Sequence, residues 1–464
     1  MNNIAPQSRL SGARGSGRTH LLRLVVLPYL FVSMLFYAFV QLQDSLLGKV
    51  YVMHQHVRLA GLGGAVLASA AYVFQGNQVR VRRPGLILLS LAYCAFVVLD
   101  FGLKVARGDI RAGAAAYGET YLYFFVFLIP LMLIMSDNQS TGPTVIAERG
   151  LFRALYLVAV PVFALGYAQW LLNEPILSLG DEAAGYVVEV PTRSDIGQIR
   201  AFSAFGSAFT YGHFITLVGT LAASYLVLKR VPERGRFVGL LIGAGIAAVS
   251  TLTRNTYLEF LVSVGAVLVL PRLLRSGWSN SLVVAVSAAF ALVTYGAMVA
   301  FFFVTRLQAR GLLNLSTFET RLTSVAAIVN RYFISAPTSD VLLFGQGYIQ
   351  GQKFADLQGI RPLLFDNTYV DVMLFSGVVG LFLFLVFLVA MFAYALNRFR
   401  QTGAYWWLAL CGMYFSYPLV AALNIHASGL YLVTCIVIAY DILSRRSIAL
   451  TGAGLSRVPV AAVG

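Results

Sequence analysis

Two arginines of this chain lie at the edges of long apolar segments. Arg200 begins the stretch Arg200-Ala-Phe-Ser-Ala-Phe-Gly-Ser-Ala-Phe-Thr-Tyr-Gly212, and Arg254 lies in Thr251-Leu-Thr-Arg-Asn-Thr-Tyr257. An arginine at membrane depth costs about 2.5–3.5 kcal/mol even on lenient insertion scales, so it is kept where it lines a wet cavity or meets an anion. The plainer alternative is an interfacial anchor whose guanidinium reaches the lipid headgroups. Guanidinium groups bind phosphate oxygens bidentately, so two of them at one level favour an anion site.

A third segment places glycines close together. It runs Leu343-Phe-Gly-Gln-Gly-Tyr348, where Gly345 and Gly347 predict a tight turn. A further glycine-bearing stretch, Ser376-Gly-Val-Val-Gly380, lies in the next apolar segment.

Polar residues lie between these two glycine-bearing stretches, in Phe365-Asp-Asn-Thr-Tyr-Val-Asp371. Asp366 and Asn367 fall where the chain enters an apolar segment, and helix N-capping explains Asx residues there as well as a site does. Asp371 lies over a turn inside that segment, where an ionisable group is a functional hypothesis by default.

The chain has no nucleophile elbow, HExxH pair, P-loop or GxGxxG motif. His54 and His56 are the histidines closest in sequence, but an i, i+2 pair does not share a helix face, which argues against a metal site. The three cysteines, Cys94, Cys411 and Cys435, lie within apolar segments and form no CxxC pair. We therefore predict neither a metal nor a cofactor.

The composition excludes a soluble enzyme with a single membrane anchor. Of the 464 residues, 59% are apolar and 11% are charged, with a mean hydropathy of +0.77. Soluble proteins are nearer 45–50% apolar and about 25% charged.

The net charge of +15 raises the question of a nucleic-acid partner. If the N-terminus is cytoplasmic, most of the 34 basic residues fall in inner segments, with Arg398 and Arg400 among them, against few acids such as Asp441. The remaining segments are close to neutral. Because the excess follows the positive-inside rule, we predict no nucleic-acid partner.

The apolar residues form about twelve segments, each close to the roughly 20 residues that a helix needs to cross a bilayer. Their approximate bounds are 21–42, 57–74, 85–103, 120–136, 151–172, 204–228, 237–253, 255–271, 281–304, 367–396, 404–423 and 427–444. We predict an all-α, polytopic membrane protein of about 12 transmembrane helices. The even count and the arginine-rich tails place both termini in the cytoplasm.

The predicted organisation follows from these segments. It comprises a cytoplasmic tail at 1–20, helices one to nine at 21–304 with an outer loop at 173–203, a large outer loop at 305–366, helices ten to twelve at 367–444, and a cytoplasmic tail at 445–464.

The large outer loop is predicted to be partly helical. Ser316-Thr-Phe-Glu319 fits a capping box ahead of apolar residues at helical spacing. Loops of this length are usually functional, although an inert cover over the bundle is the alternative. Its basic residues Arg321, Lys353 and Arg361 favour a role in the anion site.

Taken in order, these segments resemble the O-antigen ligase/Wzy-type polymerase superfamily of bacterial surface-polysaccharide enzymes. Members share about twelve spans, a large outer loop before span ten, an arginine opening span six and another in the short turn after span seven. An "lfGxGy" run is followed by a "[HD]NxYxxxLxxxGxxG" re-entry. The corresponding residues here are Arg200 to Gly212, Arg254, Phe344 to Tyr348, and Asp366 to Gly380.

The resemblance implies a metal-independent, multi-pass glycosyltransferase of the bacterial inner membrane, with its active site facing the periplasm. Its donor would be a glycan on undecaprenyl diphosphate and its acceptor a lipid-linked repeat unit, with a chain-length regulator as a candidate partner. The implied catalytic residues are Arg200, Arg254 and Asp366. The implied substrate-binding residues are Arg321, Arg361, Gly345, Gly347, Tyr348, Asn367, Tyr369 and Asp371.

Three alternatives stay open. An O-antigen ligase, which transfers glycan to lipid A-core, resembles this pattern with His before the Asn; Asp366 stands there in this sequence and favours a polymerase. A lipid-linked sugar transporter would place its charged residues near the membrane midplane. A non-catalytic assembly subunit would tolerate loss of Arg200 and Arg254.

Overall fold

The computed structural model describes residues 84–106, 128–134, 136, 145–174, 176, 197–205, 208–228, 234–286, 289, 343–345, 368–421 and 427–444. Within these ranges the regular structure is helical and contains no strand, which confirms the all-α prediction for this part of the chain. The helices are α1 (Pro84–Ala106), α2 (Val145–Leu172), α3 (Ala208–Val227), α4 (Arg234–Ser250), α5 (Arg254–Arg275), α6 (Thr368–Thr402), α7 (Tyr405–Ala421) and α8 (Ala427–Ser444).

Among the described residues, three stretches are helical, long and apolar enough to cross a membrane. They are Phe152–Leu172 in α2, Asn255–Arg275 in α5 and Ser376–Thr402 in α6. This supports the membrane-protein class. The count of about twelve helices and the two predicted tails involve residues outside the described ranges, so these remain predictions.

Large apolar side chains are exposed on the outside of the bundle. Examples are Leu157 on α2, Ile242 on α4, Leu261 on α5 and Phe382 on α6. A soluble monomer rarely exposes so much apolar surface, whereas lipid hydrocarbon solvates it without cost. The exposed faces therefore agree with a bundle that is surrounded by lipid.

The helix α7 lies at the centre of the described bundle and packs against α3, α5, α6 and α8. It comes closest to α5 at Gly412, where a Cβ atom would lie 2.7 Å from the Ser263 carbonyl oxygen. The hydroxyl oxygens of Ser263 and Ser416 lie 2.7 Å apart, one turn along the same interface. Small residues and interhelical hydrogen bonds are the means by which helices associate in lipid.

The helix α6 is interrupted at Gly377, whose backbone has φ 65° and ψ −169°. A Cβ atom there would overlap the carbonyl group of Leu343, in the short described part of the large loop. Gly345, two residues after Leu343, also has a positive φ, of 69°. The two glycines thus allow residues 343–345 to pack directly against the backbone of α6.

A buried ion pair joins α6, α7 and α8 near the junction of α6 and α7. Asp441 Oδ2 lies 3.3 Å from Arg398 Nη2 and accepts a 2.7 Å hydrogen bond from the Ser136 hydroxyl. Asp441 Oδ1 accepts hydrogen bonds from the indole N–H groups of Trp406 (3.0 Å) and Trp407 (2.9 Å). The sequence assigns Arg398 and Asp441 to the inner side of the membrane, and the structure buries both side chains within the bundle.

This pairing also explains a difference in helix length. The sequence predicts that the tenth apolar segment ends near residue 396, whereas α6 continues to Thr402. Because Arg398 finds a buried partner in Asp441, the helix extends past the apolar run without leaving an unpaired charge.

We expect Gly377→Ala to lower the stability of the protein by about 1–3 kcal/mol, because its φ and ψ lie in a region that is essentially restricted to glycine. Gly265→Ala in α5 is the matched control, since an added Cβ meets nothing within 4 Å there. Thermal unfolding in detergent measures both. Equal melting temperatures for the two variants would contradict the close packing of residues 343–345 on α6.

We expect Asp441→Ala to destabilise the bundle by about 3–5 kcal/mol, because it leaves Arg398 buried without its counter-charge. Arg400→Ala removes an exposed guanidinium that donates to Asn280, and it should cost no more than about 1 kcal/mol. Detergent-solubilised protein is compared by thermal unfolding. An equally small loss for Asp441→Ala would show that the buried pair does not hold the three helices together.

Candidate functional site

Arg200 lies in a non-helical segment, residues 197–205, that we call the strap. The strap lies along the C-terminal end of α2. The Oε1 atom of Gln169 accepts hydrogen bonds from the amides of Phe202 (3.2 Å) and Ser203 (2.7 Å), and its Nε2 donates to the Ser203 carbonyl (3.0 Å). Asn173 Oδ1 accepts from the Ile199 amide at 2.7 Å. The strap is not helical, so its backbone groups need partners from elsewhere. Gln169 of α2 and Asn173, just after α2, supply several of them.

The strap also contacts the turn between α4 and α5, residues 250–254. The amide of Ala201 donates to the Ser250 carbonyl at 3.1 Å. Arg254 is the first residue of α5, so the backbones of Arg200 and Arg254 approach the same turn. We call the strap residues 200–201 and the turn 250–254 together the arginine corner.

The Arg200 side chain is partly buried and lies within electrostatic range of the Tyr257 hydroxyl, in the first turn of α5. That hydroxyl donates to the Val249 carbonyl at 3.0 Å and so ties α5 to the end of α4. The structure describes the backbone of Arg254 but not its side chain. The binding of one anion by both guanidinium groups therefore remains a prediction.

Three buried threonines build the turn of the arginine corner. The Oγ1 atom of Thr253 lies 2.9 Å from that of Thr251 and 2.6 Å from that of Thr256. Thr256 in turn packs against Gly212 of α3, where a Cβ atom would overlap its side chain. The glycine that ends the Arg200 stretch is needed here because α3 and α5 approach closely.

A buried hydrogen-bonded pair of ionisable side chains lies immediately beyond this contact. His213 Nδ1 of α3 is 2.8 Å from Glu259 Oε1 of α5, and both side chains are almost fully buried. The partner of Glu259 is therefore a residue that lies 46 positions earlier in the chain. The pair fixes how α3 and α5 face each other below the arginine corner.

The first turn of α6 contacts α7, and α7 in turn lies close to Glu259 of α5. Tyr417 of α7 is fully buried beside Thr368, the first residue of α6, and lies within electrostatic range of Glu259. Tyr369 donates its hydroxyl to the Pro418 carbonyl at 2.8 Å. The structure therefore brings the beginning of α6 to the helices that carry the arginine corner.

The structure describes only some of the other predicted site residues. Asp371 lies in the first turns of α6, but its side chain is outside the described part. Gly345 has a positive φ and follows Leu343 and Phe344, whose backbone lies against α6 at Gly377. Six predicted site residues lie outside the described ranges: Arg321, Gly347, Tyr348, Arg361, Asp366 and Asn367.

Sequence reasoning missed three residues that position the site. Gln169 is a lone amide inside a long apolar segment, which is a signal that could have identified it. Asn173 follows α2 and has a positive φ of 56°, a conformation that asparagine tolerates. His213 was not connected with Glu259, because 46 residues separate them along the chain.

No cluster of three or more His, Cys, Asp or Glu side chains suited to a metal ion occurs in the described ranges. The chain was compared with known families and with curated proteins. No family model matches it, and no curated protein does so either.

We expect the His213–Glu259 pair to behave as one unit in a double-mutant cycle. His213→Ala or Glu259→Ala leaves one buried polar partner unsatisfied, whereas the double variant removes both, so the losses should be non-additive by about 0.5–3 kcal/mol. Denaturation in mixed detergent measures the free energies of unfolding. Additive losses would show that the two side chains do not interact energetically.

Proposed function

We propose that this protein is a polymerase of a bacterial surface polysaccharide. It transfers a nascent glycan from undecaprenyl diphosphate to a lipid-linked repeat unit at the periplasmic face of the inner membrane. The observation that carries the proposal is the arginine corner, where the Ala201 amide donates to the Ser250 carbonyl and brings together the segments of Arg200 and Arg254. These are the two arginine-bearing segments on which the resemblance depends.

The electrostatics of the arginine corner favour a diphosphate. Arg200 and Arg254 contribute two formal positive charges, and α5 begins at Arg254. The first amides of a helix and its macrodipole add a positive potential at that end. Guanidinium groups match phosphate oxygens bidentately, and in a low-dielectric setting they stabilise negative charge more strongly than they do in water.

In the proposed transfer, a hydroxyl oxygen of the acceptor repeat forms a bond to the anomeric carbon of the donor glycan. The bond between that carbon and the phosphate oxygen breaks, and undecaprenyl diphosphate leaves with the electron pair. Arg200 and Arg254, with support from Arg321, stabilise the charge that grows on the leaving group. The rate then depends on how firmly the guanidinium groups are held.

The acceptor hydroxyl must also lose a proton. Asp366 or Asp371 orients this hydroxyl or accepts its proton, since both fall where the large loop re-enters the bundle. A carboxylate beside the arginines would stay ionised and orient the hydroxyl, with the proton passing to the departing diphosphate, whereas a partly buried carboxyl of raised pKa would accept the proton itself. Tyr348 and Tyr369 are the candidates for contacts with sugar rings.

One observation favours a lipid-linked sugar transporter as a second candidate. The His213–Glu259 pair is a buried ionisable pair within the bundle, and such pairs are common on proton and substrate pathways of transporters. A transporter would move a lipid-linked repeat across a vesicle membrane without joining repeats. A polymerase would join repeats in detergent, where no membrane separates two compartments.

The proposal is tested by incubating purified protein in detergent with a diphosphate-linked lipid repeat and sizing the products. A ladder of glycolipids that rises by one repeat per step is expected. A single unchanged band, obtained with a substrate that another polymerase extends, would reject the polymerase. Transfer of the glycan to lipid A-core in place of a second repeat would identify a ligase.

We expect Arg200→Ala to lower kcat/KM in this assay by about 10²–10³-fold, the usual cost of removing one preorganised group that stabilises developing charge. Arg200→Lys should restore only part of the loss, because an ammonium cannot bind bidentately. The matched control is Arg275→Ala, at the opposite end of the 22-residue helix α5 and about 30 Å from Arg254. Equal rates for Arg200→Ala and Arg275→Ala would remove Arg200 from the mechanism.

A further inference from the structure

Ser203 shows how strongly the strap is held by its surroundings. It is a non-glycine residue with a positive φ of 53°, a conformation that persists only where other contacts enforce it. Its amide and carbonyl both bond to Gln169, and its hydroxyl donates to the Val162 carbonyl at 2.6 Å. The side chain of Ser203 is fully buried. The strap therefore has one conformation that α2 imposes on it.

Gln169 makes the central contact with the strap. Its side chain is fully buried, and its carboxamide uses both its acceptor and its donor on the strap backbone. A leucine of similar size would leave the amides of Phe202 and Ser203 and the carbonyl of Ser203 without this partner. A buried polar group that is left without a partner destabilises the conformation that buries it.

The contacts of the strap are distributed on both sides of Arg200. On one side, the Ile199 amide donates to Asn173, and Gln198 Nε2 donates to the Trp170 carbonyl at 2.5 Å. On the other side, the Ala201 amide donates to the Ser250 carbonyl. The direction in which Arg200 leaves the backbone is therefore set by α2 and by the turn between α4 and α5.

We propose that Gln169 is a positioning residue for Arg200: its carboxamide locks the strap so that the guanidinium is held in the arginine corner. The consequence for catalysis depends on the proposed glycosyl transfer, whereas the locking itself does not. A displacement of about 1 Å at a reacting group can cost 10²-fold in rate, so loosening the strap impairs transfer although Gln169 touches no substrate.

The test compares Gln169→Leu with Tyr414→Phe in the full-length protein in detergent. Tyr414→Phe also removes one buried hydrogen bond, to Thr434, which joins α7 to α8 and involves no strap residue. Phenylglyoxal modifies accessible arginines, and mass spectrometry gives its rate at Arg200, with exposed Arg275 as the internal reference. We expect Gln169→Leu to raise the Arg200 rate at least fivefold relative to Arg275, and Tyr414→Phe to leave it unchanged.

The transfer assay supplies the second measurement. Gln169→Leu is expected to lower kcat/KM at least tenfold, while Tyr414→Phe retains the wild-type value. An unchanged phenylglyoxal rate at Arg200 in Gln169→Leu overturns the locking. A raised rate with unimpaired transfer overturns the role of the lock in catalysis. A raised rate in a protein whose wild type forms no product supports the locking and rejects the proposed polymerase instead.

Asn173→Gly is the second variant if Gln169→Leu does not fold. Glycine accepts the positive φ of Asn173, so this change removes only the acceptor of the Ile199 amide. It should raise the phenylglyoxal rate at Arg200 by about two- to threefold, consistent with the loss of one of several contacts. An unchanged rate in Asn173→Gly would contradict the proposal in the same way.

Discussion

A peptide group that is removed from water must find another hydrogen-bond partner, and this requirement governs the described part of the molecule. Within the helices the partners come from the helix itself. The strap is not helical, and side chains from α2 supply several of its partners, with Gln169 serving three backbone groups at once. Because the strap carries Arg200, the contacts that satisfy the strap backbone also fix the position of Arg200, the residue to which we assign a role in the proposed transfer.

Buried polar side chains follow the same requirement at both ends of the bundle. Asp441 receives donors from four side chains on several helices, and the result is a fixed junction of α6, α7 and α8. At the arginine corner, His213 and Glu259 pair between α3 and α5, and three threonine hydroxyls form the adjoining turn. These polar pairs favour one register of the packed helices, because a misaligned register leaves a buried polar or charged group unpaired.

The proposed glycosyl transfer requires cations at fixed positions, and the packed helices around α7 can hold them there. A glycosyl transfer from a lipid diphosphate involves a leaving group that gains charge, and fixed cations are most effective when they need not reorganise. The strap, the start of α5 and the start of α6 all join a rigid set of helices around α7. The interruption at Gly377 serves this arrangement too, since it admits residues 343–345 of the large loop to the backbone of α6.

The sequence by itself determined the helices, because a long apolar run in lipid has no alternative that satisfies its backbone. It also identified Arg200 and Arg254 as charged residues at the edges of apolar segments, and it predicted a tight turn at Gly345, whose φ in the structure is 69°. The tertiary structure alone decided which distant residues meet: Gln169 with Ser203, His213 with Glu259, and Arg398 with Asp441. Hydrophobicity is a local property of the chain and can be seen in any window of residues. A polar pairing depends on the relative rotation and axial position of two packed helices, and no single stretch of the sequence specifies these.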